Sequence, residues 1–228
     1  FLSAYSAVNQ GHSHPRILNA LISQSERLTL TSRAFYNDVL GPYEKMATET
    51  FKFDKLLPMN TGAEAVETAL KIARRWGYQK KGIAEGMAKI AVCENNFHGR
   101  TTTIISFSTD QTAKSEFGPF TEGFDVIPYD DINALEQLLS SYSTIAGFLV
   151  EPIQGEAGVY VPSDQYLKQA KALCEKYEVL FIADEVQTGI ARTGKLLATC
   201  GNCSCSDRHC SGEPEVKPDI LVLGKALS

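Results

Sequence analysis

No stretch of this sequence stays apolar for the roughly 20 residues that a membrane-spanning helix needs, so no helical crossing of a bilayer is expected. It also lacks an excess of basic charge: 22 Lys and Arg stand against 27 Asp and Glu, a formal net charge of −5. That balance supplies no field to draw nucleic acid or an anionic lipid surface, and both are set aside as main partners. An initiator Met is missing too, and Ser228 follows Lys225 by three residues with no helix to close the unit. The chain is therefore expected to be an incomplete piece of a larger protein. What is present is the mixture of an ordinary globule able to bury a core, 43% hydrophobic and 21% charged.

The rest of the chain is organised around residues 179–225. They open with an apolar, partly β-branched run, Val179 to Ile182, that ends in Asp184 and Glu185. They close with a second run, Ile220 to Leu223, followed by Gly224 and Lys225. Short continuous apolar runs bounded by turn signals read as buried strands of a parallel sheet. Open sheets of that kind bind ligands at the carboxyl ends of their strands, where these charged residues fall. A carboxylate at one strand end and an amine just past another suit pyridoxal 5'-phosphate (PLP), which needs an amine for its aldehyde and an acid for its ring nitrogen. The plain alternative is a helix-capping Asp-Glu pair and a solvated turn lysine.

Upstream, helices are expected over 13–28, capped by Ser13 with Pro15 in its first turn, and over 42–53, with Tyr43, Met46 and Ala47 packing inward. Thr61-Gly62-Ala63 precede a helix over about 64–79; free N–H groups at such a start make an anion site, though a plain cap has the same look. Strands are expected at 89–93, 124–128 and 145–150, and helices at 132–139 and 166–177. Strand alternating with helix predicts an α/β fold with a mostly parallel central sheet flanked by helices. Phe97, just past a strand, suits core packing or stacking on a flat ring. Arg100 suits a solvated surface or a carboxylate. Glu151 is read as satisfying nearby backbone, and residues 154–158 form a turn-rich site candidate.

LFIADEVQTGIARTGKL with PDILVLGKALS resembles the signature of the class-III, ornithine-type aminotransferases. FLSAYSAVNQGHSHP and LPMNTGAEAVETALKIARRWGY resemble the ornithine-acting members in particular. The resemblance implies a type I PLP-dependent transferase fold and a parent of roughly 400 residues, a size at which chains split into domains. Residues 1–228 would then be most of a large PLP-binding domain, without the remainder of that domain and a small C-terminal one. It further implies that Lys225 bonds the cofactor and Asp184 faces its ring nitrogen. Val186 and Phe97 would press opposite ring faces, and Gln187 would bond the ring hydroxyl. Gly62 and Ala63 would cradle the phosphate. His98, where some ornithine-type enzymes carry Trp, is counted with the cofactor-binding set. Tyr5 would select the substrate side chain, Arg100 hold its α-carboxylate, and Glu156 pair with an arginine beyond Ser228. The implied reaction moves the δ-amine of L-ornithine to 2-oxoglutarate in a homodimer, in the cytoplasm or the mitochondrial matrix. Sibling activities on N-acetylornithine or 4-aminobutyrate stay open, as does a non-catalytic module.

The family pattern breaks at 199–217, longer than the usual link by about a dozen residues, an insertion that surface loops accommodate cheaply. It holds Cys200, Cys203, Cys205 and Cys210, four of the six cysteines, plus His209. A solvated insertion is the expectation, ahead of a redox pair or a tetrahedral zinc site; no metal is assigned.

Overall fold

A computed structural model describes residues 3–32, 34–200 and 216–227. The chain divides into two compact units: Val8–Pro58, and a larger one of Phe1–Ala7 with Met59–Ser228. The smaller unit holds α1 (Pro15–Ser25) and α2 (Leu40–Phe51). Ser13 does not cap α1. Its backbone is left-handed, at φ 51°, and the cap is His14, which makes no side-chain cap bond. Pro15 at the first position starts the helix instead, its missing N–H being one the helix could not use. α2 starts two residues before the expected Pro42, because Asn37 Oδ1 accepts the N–H groups of Val39 and Leu40 at 3.0 and 2.8 Å. Of its expected inward residues, Ala47 is buried and Met46 is exposed.

The larger unit alternates helix and strand: α3 (Gly62–Trp76), β1 (Lys89–Cys93), α4 (Thr102–Ser106), α5 (Gln111–Lys114), β2 (Phe124–Ile127), α6 (Ile132–Ser141), β3 (Ile145–Val150), α7 (Tyr166–Lys176), β4 (Leu180–Asp184) and β5 (Ile220–Val222). Every strand pairing is parallel, in the order β2-β1-β3-β4-β5. Both faces of the sheet are covered, which is why its central strands read as unbroken apolar runs. Ala91, Cys93, Phe148, Val150 and Phe181 pack with Leu135 and Leu139 of α6 and with Tyr166, Ala170 and Cys174 of α7. The alternate residues Ile90, Val92, Leu149 and Ile182 pack with Val66, Ala69, Leu70 and Ala73 of α3. Each fully buried Phe, Leu or Ile contributes about 1.5–3 kcal/mol.

α3 ends before the expected Gln79 and runs into a wider π turn, Gly77–Lys81. A Cβ on Gly77 would lie 2.8 Å from Ala146 Cβ, so only glycine lets the helix come this close to β3. Lys81 Nζ then donates to the carbonyls of Ile145 and Tyr177, at 2.8 and 2.9 Å, tying the turn to the sheet's amino end. Chain order reverses between β1 and β3, and that reversal opens a crevice at the carboxyl ends of those strands. Among the described residues, no helix is long and apolar enough to cross a membrane.

Candidate active site

A cavity of about 200 Å³ lies at the carboxyl ends of the strands. Its wall includes Phe97, His98 and Gly99 from beyond β1, Glu151 and Ile153 from beyond β3, and Asp184 to Thr188 from the end of β4, Glu185 excepted. Lys225, three residues past β5, and Gly62 and Ala63 at the start of α3 complete it. The strand-end carboxylate and the distant lysine thus share one small chamber.

Asp184 is buried, and both its oxygens are engaged. Oδ1 accepts the Val186 N–H at 3.0 Å, and Oδ2 lies 2.6 Å from His98 Nδ1. Each oxygen keeps a second lone pair for another donor. Burial opposes charge on the His98 ring, but the hydrogen bond and the charge of Asp184, with Glu151 beyond, outweigh it and raise its pKa. His98 Nε2 is buried without a protein partner. Glu151 is pushed up to about 7, chiefly by burial; its Oε2 accepts the Phe97 N–H at 3.0 Å.

Thr61 caps α3, its hydroxyl accepting the Glu64 N–H at 3.1 Å, while Glu64 reaches back to the Asn60 N–H at 2.9 Å. The N–H groups of Gly62 and Ala63 begin the helix and, at such a start, have no carbonyl within it. A Cβ on Gly62 would sit 2.8 Å from Val186 Cγ1, and one on Gly224 3.1 Å from the same atom. Two glycines therefore let the helix start, the β4 end and the lysine-bearing turn close around Val186. Gly99, at φ +128°, lets the loop beyond β1 approach the start of α3, since a Cβ there would meet Ala63 Cβ at 2.8 Å.

A family model described as aminotransferase class-III matches residues 1–228, the whole sequence. The chain belongs to the class-III aminotransferases. Ornithine aminotransferase of Drosophila melanogaster, a mitochondrial protein by name, is 57% identical over all 228 residues, which cover 50% of its length. The solved ornithine aminotransferase of Toxoplasma gondii is 52% identical with a TM-score of 0.92 over the full chain and 50% of its own; PLP is described at partial occupancy in its active site. A solved acetylornithine aminotransferase of Elizabethkingia anophelis is 58% identical with a TM-score of 0.81, again over the full chain and 50% of its own. The chain spans about half the length of the curated relatives it matches.

Of the residues expected at the site of this class-III aminotransferase, eight meet in the cavity: Gly62, Ala63, Phe97, His98, Asp184, Val186, Gln187 and Lys225. Glu156 touches its edge by accepting from Gln187 Nε2 at 3.2 Å. Arg100 lies outside the lining, its guanidinium 5.9 Å from the Phe97 ring centroid. Tyr5 is exposed and outside the lining as well. Gly99, Ile153 and Thr188 line the cavity unanticipated; the positive φ of Gly99 had a sequence signal in its glycine, the other two had none. Glu151 does satisfy backbone as expected, but from inside the cavity. Cys200 is buried, whereas Cys203, Cys205, His209 and Cys210 lie outside the described residues.

Proposed function

We propose that this chain is the PLP-binding part of an ornithine δ-aminotransferase, moving the terminal amine of L-ornithine to 2-oxoglutarate and giving glutamate 5-semialdehyde and glutamate. The observation that carries the reading is that Asp184 and Lys225 line one cavity together with the opening turn of α3. The donor set fits PLP: an amine, a buried carboxylate, an aromatic ring and Val186 in the same wall, and a helix start whose N–H groups and dipole suit a phosphate. The cradle fits as well, since a Cβ on Gly62 would close it against Val186.

When bound, PLP supplies an aldehyde to react with amines and a ring that takes up the electron pair left as a proton departs from the substrate carbon. The residues of this chain prepare that chemistry. Asp184, fixed at both oxygens, offers a lone pair to hold a proton on the cofactor ring nitrogen. Phe97 and Val186, both in the cavity wall, would hold the ring, and Gln187 would hydrogen-bond its polar edge. Gly62 and Ala63 N–H groups bind the phosphate. Lys225 Nζ would hold the cofactor, and its free amine would serve as the base that moves a proton at the substrate carbon. Arg100 would offer a fork for the substrate α-carboxylate, Tyr5 would meet its side chain, and Glu156 would pair with an arginine later in the parent protein. Two half-reactions through one site give ping-pong kinetics.

A second reading, transfer from N-acetylornithine, draws support from the Elizabethkingia protein, 58% identical to this chain against 57% for the Drosophila ornithine aminotransferase. A homodimer, in the mitochondrial matrix or the cytoplasm, is part of the proposal. Assays of the purified protein with ornithine, N-acetylornithine and 4-aminobutyrate against 2-oxoglutarate test the substrate. Borohydride reduction with peptide mapping tests the site, and cofactor label on a lysine other than Lys225 would overturn the assignment.

A further inference from the structure

Glu151 is a buried ionisable group in the cavity wall to which the chemistry above gives no task. It follows the last residue of β3, is 6% exposed, and shares the cavity with Asp184 and Lys225. Its main chain is pinned from the sheet side: Tyr129 Oη donates to the carbonyls of both Glu151 and Pro152, at 3.1 Å each. Tyr129 is itself braced edge-on against buried Tyr166, ring centroids 5.6 Å apart. The backbone that carries the Glu151 carboxylate is thus held in place. Phe97, by contrast, belongs to the loop beyond β1 and has no strand partner; its N–H is held by Glu151 Oε2 at 3.0 Å. Its ring lines the cavity and carries the Arg100 guanidinium 5.9 Å from its centroid. One carboxylate therefore holds the backbone of the residue whose ring lines the cavity.

We propose that Glu151 is a positioning residue, whose ionised carboxylate holds the Phe97 amide and thereby the ring wall of the cavity, and which loosens that hold when it takes up a proton. The assignment of Phe97 as the wall against the cofactor rests on the PLP reading; the hold itself does not. A charged acceptor bonds an amide about twice as strongly as a neutral one, so protonation weakens the tether without removing it. Ionisation falls near neutrality because burial pushes the carboxyl up to about 7. The groups facing it are His98 beyond β1, Cys93 on β1, Tyr129 beyond β2, Asp184 on β4 and Lys225 beyond β5. His98 and Lys225 favour its charged form and Asp184 opposes it.

The test reads the Phe97 amide directly, by nuclear magnetic resonance of the cofactor-free protein between pH 5 and pH 9, alongside PLP affinity by fluorescence titration. In the unaltered protein the Phe97 amide shift titrates with a midpoint near 7, and in Glu151→Gln, which keeps an acceptor oxygen but no charge, that step disappears. PLP binds about three- to tenfold more weakly to Glu151→Ala, the loss of one hydrogen bond, and within about twofold of normal to Glu151→Gln. A Phe97 amide that does not move with pH in the unaltered protein, or moves identically in Glu151→Gln, overturns the proposal. A titrating amide in a protein that binds no PLP would sink the cofactor reading and leave the tether standing.

Discussion

His98 Nδ1 stands 2.6 Å from Asp184 Oδ2, and both side chains are buried. β1 and β4 are not neighbours in the sheet, so this contact joins two strand ends across β3. Asp184, with Glu151 beyond, raises the His98 pKa despite burial. A raised folded-state value contributes stability that is fully present below the unfolded value, about 6.5 for histidine, and is lost as pH rises through the folded value. Glu151, raised from 4.5 to about 7, loses its own contribution over a window that ends in the same range. The melting temperature should therefore fall as pH rises from 6 to 9. His98→Gln keeps a donor for Asp184 without the charge and should show a shallower decline, with the Glu151 part remaining. Equal slopes in the two proteins, by calorimetry, would show that His98 carries no proton that folding retains.

Asp184→Asn separates chemistry from folding. The amide keeps the volume and one acceptor oxygen, so circular dichroism should be unchanged. A hydrogen bond to a charged group contributes about 1.5–3 kcal/mol, so PLP affinity should drop about ten- to a hundredfold. Equilibrium titration with PLP checks this, and an undiminished affinity would place the ring nitrogen elsewhere.

Gly155 is tested by addition rather than removal. A Cβ there would lie 2.0 Å from Gln187 Oε1, the far end of a flexible side chain. Gly155→Ala should therefore swing Gln187 away and break its bond to Glu156, with little cost to the fold. Loss of one such hydrogen bond predicts about a three- to tenfold fall in kcat/KM with an unmoved melting temperature. A large drop in melting temperature would instead mean that the backbone, not Gln187, gives way.

Which features were legible follows from how local their causes are. β1 and β3 matched the expected residues at both ends because a strand buried on two faces must be apolar throughout. α4 and α5, of five and four residues, are too short to show a helical period, and were not anticipated. Ser13 looked like a cap, but Pro15 shifts the start so that His14 takes the capping position. In the site, Asp184 and Lys225 could be paired from the sequence because strand ends are where a parallel sheet gathers ligands. The His98–Asp184 bond and the Glu151–Phe97 tether could not, since each spans more than fifty residues and depends on β3 lying between β1 and β4.

Glu185, the neighbour of Asp184, faces away from the cavity and does a different job. Its carboxylate accepts Thr188 Oγ1 at 3.0 Å, Ala198 N–H at 2.7 Å, and both the N–H and Oγ1 of Thr199 at 2.9 and 2.8 Å. Four donors converge on one buried group and fasten residues 198–199 to the end of β4. Glu185→Ala leaves those donors without their acceptor, at about 1–3 kcal/mol for each that water cannot reach, and a total loss of about 3–5 kcal/mol is expected. Denaturant unfolding measures that loss, and hydrogen exchange at the Ala198 and Thr199 amides locates it. Glu185→Gln, which keeps one acceptor oxygen, should fall between the two. If both variants unfold at the normal midpoint with those amides still protected, another contact holds this segment and the carboxylate is dispensable.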